Sequence, residues 1–301
     1  MITLSRKLRI VFLISFHSLV AIQARAQSVE NSLFWEISGK GIQKPSYLFG
    51  TYHLLNGEYL QELPAVKAAF EKADGVVVET ELDSAKMLKF THMMVMADKT
   101  LADLISRADY ALVAPEVEKS TGMPMIMLGQ FKPAFIYTML TLVYNQESNG
   151  DFLKKYKGLP LDAHFAALAR KQNKPVNTFE SMEEQVALLF NYDPVVRQAE
   201  LLVELVRTKG EMKKVLKELV TMYVNQDLAG MYALYKKQEK QFGNISYLLD
   251  DRNVKWMDTL PGILKSGNRF IAVGALHFTG EKGLIKLLRE AGYTVKAVKI
   301  N

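Results

Sequence analysis

Apolar and polar residues alternate in two different ways along this chain. Near both ends, short β-branched and aromatic runs stand between turn residues, whereas through the middle apolar residues recur at three- and four-residue spacing. Residues 33–37 and 46–50 flank the turn-rich segment 39–45 and predict a β-hairpin with a longer loop. A helix is expected over about 60–72, where Leu60, Val66, Ala69 and Phe70 share one face. Residues 75–81 follow as a nearly continuous apolar run ending in two glutamates, the pattern of a strand buried on both faces of a parallel sheet. Strand, helix, strand in that order is a βα unit.

The middle reads differently. Residues 84–145 are rich in Met and Leu, and 131–144, the most apolar part, is too short to cross a membrane. A helix over 160–172 leads into a strand at 175–179. Ser181 to Glu184 then matches a capping box, and amphipathic helices occupy about 194–208 and 211–240. The α/β character returns with a helix at 252–265, a strand at 269–274, a helix at 281–291 stopped by Gly292, and a last strand at 294–300. The expected fold is α/β. A mixed sheet is built from the N- and C-terminal segments, and a large helical insertion, about 84–240, covers the site.

Composition changes this picture at the N-terminus. Arg6, Lys7 and Arg9 precede a largely apolar run over 10–22, and Ala24-Arg25-Ala26 offers a cleavage site, the layout of a secretory signal peptide over 1–26. The remaining 27–301 reads as a single domain without a stable membrane span. Removing those 26 residues lowers the net charge from +6 to +2, and Lys and Glu are interspersed, so nothing points to a nucleic acid. The expected location is the periplasm or the exterior. No cysteine occurs, which excludes disulfides, thiolate metal sites and a cysteine nucleophile, and leaves His, Asp and Glu as the only metal donors.

Candidate chemistry centres on two echoes of one pattern, Gly50-Thr51-Tyr52-His53 and Gly274-Ala275-Leu276-His277, each closing an apolar run. Glycine lets the backbone turn and admits a close neighbour, and the histidine then lies just beyond the sheet edge, where open α/β folds place their ligands. Glu79 and Glu81 end the 75–81 run, and strand alternation would put both on one face. One could bind a metal and the other accept a proton. Glu180 ends another strand, and Arg252 opens a helix just before the second motif, where its guanidinium could clamp a carboxylate or an oxyanion. Asp162 stands near a helix start and reads most simply as a cap. Serine-hydrolase, H-E-x-x-H and Gly-rich phosphate motifs are absent.

These segments together resemble the TraB/PrgY/GumN family, which includes the Tiki proteases and has distant erythromycin-esterase-like and ChaN-like relatives. The resemblance rests on Gly50-Thr51-Tyr52-His53, on 73–79 ending in Glu79, and on Leu161-Asp162-Ala163-His164-Phe165. It continues through Phe179-Glu180, Arg252-Asn253 with Trp256, and the stretch 270–278 containing the second motif. It implies a metal-dependent hydrolase in which His53, His277 and Glu79 form the active site. In Tiki-type members that activity is proteolysis helped by manganese or cobalt; zinc is a further possibility. Glu81 or Glu180 would accept a proton and Arg252 would orient a peptide or small-molecule substrate. The competing reading from the residues is a non-catalytic haem-, metal- or peptide-binding protein of the cell envelope, using the same two histidines.

Overall fold

The hairpin forms as its turn residues dictate. In this computed structural model, which describes residues 31–81, 88–242 and 245–300, strand β1 (Phe34–Ser38) pairs antiparallel with β2 (Ser46–Thr51), Trp35 opposite Leu48. Gly39, Lys40 and Gly41 turn the chain between them, all with positive φ. The expected signal peptide, 1–26, lies outside the described residues.

Four further strands complete one sheet: β3 (Gly75–Val78), β4 (Val176–Thr178), β5 (Arg269–Gly274) and β6 (Thr294–Ala297). The spatial order is β4-β3-β5-β2-β1-β6. β4, β3, β5 and β2 run parallel, and β1 is antiparallel to both of its neighbours. The sheet is therefore mixed, and β5, from late in the chain, separates β2 from β3. β3 and β5 are buried along their whole lengths, which explains their unbroken Val, Ile and Phe content.

Apart from the single turn Met125–Leu128, the α-helices described follow in chain order: α1 (Pro64–Lys72), α2 (Arg107–Thr121), α3 (Pro133–Leu153), α4 (Leu161–Lys171), α5 (Met182–Asn191), α6 (Val195–Arg207), α7 (Lys209–Val224), α8 (Leu228–Phe242), α9 (Asp250–Trp256), α10 (Leu260–Lys265) and α11 (Leu284–Glu290). α4 packs on β3 and β5, and its Phe165 meets Phe270 at 4.8 Å, Phe70 at 5.4 Å and Phe49 at 5.7 Å between ring centroids. That aromatic cluster forms the centre of the main core. Part of the expected insertion, α4 and β4, thus returns to the sheet. Much of the rest builds a second core between α2, α3, α6 and α7 around Ile136, Leu140, Tyr144, Leu202 and Leu205, while Tyr223, Leu228 and Met231 join the main core and Met94, Met182, Val186 and Phe190 form a small third cluster. Among the described residues no helix is long and apolar enough to cross a membrane.

Two expected elements are divided. The helix over 60–72 starts as a 3-10 turn, Gly57–Glu62, and α1 begins anew at Pro64, because proline supplies no N–H and restricts the residue before it. The helix expected over 252–265 is likewise split: α9 ends at Trp256 and α10 opens at Leu260, with Pro261 in its first turn, where a missing N–H costs no helix bond. The strand expected over 75–81 ends at Val78, and this shift moves one candidate residue out of the site.

Candidate active site

Each of the four parallel strands delivers one ionisable side chain just past its C-terminal end: Glu180 after β4, Glu79 after β3, His277 after β5 and His53 after β2. Parallel neighbours end on the same edge, so residues far apart in sequence meet there. The two glycine motifs also touch. A Cβ on Gly50 would lie 2.9 Å from Ala275 Cα, so only glycine lets the end of β2 pass beneath the turn that carries His277.

Glu79 is the hub. It is almost fully buried. Its Oε1 accepts from the Gly274 N–H at 2.7 Å and lies 3.7 Å from His53 Nε2 and 3.6 Å from His277 Nε2. Its Oε2 accepts from Arg252 Nη2 at 2.6 Å. Arg252 also donates from Nε and Nη2 to the two oxygens of Glu180, each at 2.8 Å, in the bidentate geometry that suits a guanidinium. The Trp256 indole N–H donates to Glu180 at 2.9 Å, and the guanidinium lies over the same indole ring.

Hydrogen bonds fix the state of His277. The Asn253 amide donates to the backbone carbonyls of His277 and Lys282, so its oxygen faces His277 Nδ1, 2.6 Å away. The ring proton therefore sits on Nδ1, and the Nε2 lone pair accepts from Arg252 Nη1 at 3.1 Å. His53 has a different partner, Asp162 Oδ2, 3.2 Å from its Nδ1.

The electrostatics differ accordingly. Burial opposes ionisation of Glu79, but His277, His53, Arg252 and the Gly274 N–H together hold its carboxyl down at about 2. Burial pushes His277 down to about 3, with Arg252 and His53 reinforcing it against Glu79. Burial also disfavours charge on His53, yet Asp162 and Glu79 outweigh it and raise the ring to about 9. That direction agrees with a side chain still half open to solvent. Arg252 is held above its ordinary value because Glu180 and Glu79 outweigh its burial.

The site has the donors for a hard or borderline divalent cation: two imidazole nitrogens and a carboxylate oxygen, with no thiolate. The space they face is kept open by Gly274. A Cβ there would lie 3.2 Å from both His53 Nε2 and Glu79 Oε1, and 3.6 Å from the His277 ring. These donors therefore suit such an ion by their chemistry. Among the described residues no group of three His, Asp or Glu stands ready-made at metal-binding spacing, and Arg252 engages the His277 lone pair.

The structure thus brings together His53, Glu79, Glu180, Arg252 and His277. Glu81 is placed elsewhere. The strand ends before it, so alternation no longer governs its direction, and its carboxylate forms a bidentate pair with Arg170 on α4. Glu180, expected as a proton acceptor, has both oxygens taken by Arg252 and Trp256; it acts as the clamp on that arginine. Sequence reasoning missed Asp162, read as a helix cap, and Asn253 and Trp256, which drew no role of their own. Their signal was i, i+1, i+4 spacing from Arg252 for the last two, and for Asp162 a position one residue inside a helix start.

Residues 33–297 match the model of the TraB/PrgY/gumN family, a span that includes every residue of this site. The chain belongs to the TraB/PrgY/gumN family. A curated relative, Metalloprotease TIKI1 of Danio rerio, is 25% identical over 319 aligned positions, covering 90% of this chain. This TraB/PrgY/gumN chain spans 64% of that protein's length. No solved structure matches it.

Proposed function

We propose that this protein is an exported metal-dependent hydrolase that cleaves peptide bonds, acting in the periplasm or outside the cell. The observation that carries the reading is the convergence of His53, Glu79 and His277 on the gap at Gly274, with Arg252 fixed beside them. Membership of the family and likeness to a metalloprotease support it. Export rests on the pattern of 1–26.

His53 Nε2, His277 Nε2 and Glu79 would hold the cation, manganese or cobalt in the first instance and zinc as an alternative. Bound there, it would supply Lewis acidity and a water of lowered pKa. Glu79 is ionised and His277 neutral at pH 7, the states in which both can donate electron pairs. His53 carries a proton in the metal-free protein and must give it up to serve as a donor. Arg252 remains charged, and the Glu180 and Trp256 contacts keep its Nη1 beside His277. From there it can bind a substrate carbonyl and stabilise negative charge developing on that oxygen.

The test is direct. Purified protein and the His53→Ala/His277→Ala double variant are compared for bound metal by mass spectrometry and for cleavage of a peptide library with manganese or cobalt. The double variant should lose both. Full activity in it would overturn the assignment.

A further inference from the structure

We propose that Asp162 is the positioning residue of His53, and that a backbone clamp between residues 55–57 and 159–161 holds it in place. The proposal rests on the reading above that His53 Nε2 serves the site.

After His53 the chain runs beside the segment that enters α4. The Leu161 N–H donates to the Leu55 carbonyl and the Gly57 N–H to the Leu159 carbonyl, both at 2.9 Å, and Asn56 pairs with Pro160 as an isolated antiparallel bridge. Asn56 Nδ2 also donates to the Tyr156 carbonyl at 3.1 Å. The approach leaves no space for a side chain at 57, where a Cβ would lie 2.1 Å from His164 Cγ. Asp162 opens α4 directly after this clamp, and its Oδ2 reaches His53 Nδ1. Its other oxygen is buried without a hydrogen-bond partner, so the polar contact this carboxylate makes in the site is the one to His53.

A neutral imidazole carries one proton, and the acceptor at one nitrogen decides where it sits. With Asp162 at Nδ1, the His53 Nε2 lone pair faces Glu79 Oε1 and the gap at Gly274. At His277 an amide, Asn253, does the same work. The two rings are thus oriented alike by unlike partners. This comparison separates the proposal from a mere helix-start charge. An amide at 162 can still accept from Nδ1–H, whereas an aliphatic residue cannot.

The experiment uses nitrogen-15 histidine spectra of the metal-free protein, recorded up to the pH where the rings are neutral, together with cobalt titration by calorimetry. Asp162→Leu should mix the two tautomers of His53, leave the His277 signals unchanged and weaken cobalt binding about 10- to 100-fold. Asp162→Asn should keep the Nδ1–H tautomer and bind cobalt within about threefold of wild type. Gly57→Ala, which retains the carboxylate but forces His164 aside, should resemble Asp162→Leu. Unchanged His277 signals certify the fold, and Asp162→Ala replaces the leucine variant if that one does not fold. A single, unaltered His53 tautomer in the leucine or alanine variant would overturn the proposal. Wild-type protein that binds no cobalt would instead count against the metal reading, and the tautomer comparison would still decide the role of Asp162.

Discussion

Gly274→Ala is the most discriminating single change, because it adds one methyl group at the centre of the site and disturbs little else. The residue has φ −50° and ψ 133°, which alanine adopts freely, so no backbone strain is introduced. Restricting the unfolded chain would by itself stabilise the protein by about 0.4–1 kcal/mol. Against that, the new Cβ meets Glu79 Oε1 and His53 Nε2 at 3.2 Å, inside ordinary contact by a few tenths of an ångström. Neither neighbour yields easily: Glu79 is held by Arg252 and the Gly274 N–H, and His53 by Asp162. Overpacking of this kind costs about 1–3 kcal/mol, so the two effects nearly offset in global stability. The donors, however, are pushed apart where a cation would sit. We expect a melting temperature within a few degrees of wild type, with cobalt affinity and peptide cleavage lowered at least tenfold, about 1.4 kcal/mol. Calorimetric titration beside a thermal melt measures both. A variant that binds and cleaves like wild type would refute the view that the gap at Gly274 is the working centre.

Other consequences are open to measurement. Glu180→Ala leaves Arg252 without its bidentate partner in a buried setting and should cost about 3–5 kcal/mol in chemical denaturation, whereas Glu81→Ala breaks a surface pair and should cost about 0.5 kcal/mol with cleavage unchanged. The metal-free protein should be most stable near pH 6.5. Above that, His53, raised to about 9, loses the proton that stabilises the fold; below it, His277, held near 3, lets the unfolded state take up a proton that the native state refuses. Glu79 adds to the acid loss below about 4.5, and the half-exposed His53 contributes less than the buried pair. Denaturation midpoints that rise steadily from pH 6.5 to 9 would contradict this. Replacing Tyr223 by Phe removes the hydroxyl that donates to the Gly50 carbonyl at 2.9 Å and should cost about 1–2 kcal/mol in the same assay.

How far the sequence alone reaches can be judged from particular residues. β2, β3 and β5 were legible because strands buried on both faces need unbroken apolar runs, and the glycine–histidine pairs marked where two of them end. Pairing order was not legible: nothing local in 269–274 says that it lies between 46–51 and 75–78. Glu79 and Glu81 look equivalent on an ideal strand, and only the end of pairing at Val78 separates them. Asp162 sits where helix caps are common, so its local explanation sufficed until the fold laid residues 159–161 against 55–57. Asn253 and Trp256 act through contacts made across the chain, to His277 and Glu180, and no spacing rule foretells those partners.

The position of β5 has a consequence for how the protein comes into being. Ribosomes deliver β1, β2 and β3 within the first 80 residues, yet β2 and β3 have no pairing surface in common until residues 269–274 slot between them. A nascent chain can gather its helical part early, but its sheet stays open along the middle until synthesis is nearly done. Contacts of such long range make the closing step slow. They also mean that the cluster of His53, Glu79 and His277 cannot assemble before completion: a shortened or half-made molecule lacks both the central strand and His277. Topology alone therefore makes the meeting of the two glycine–histidine turns one of the last events in the life of the new chain.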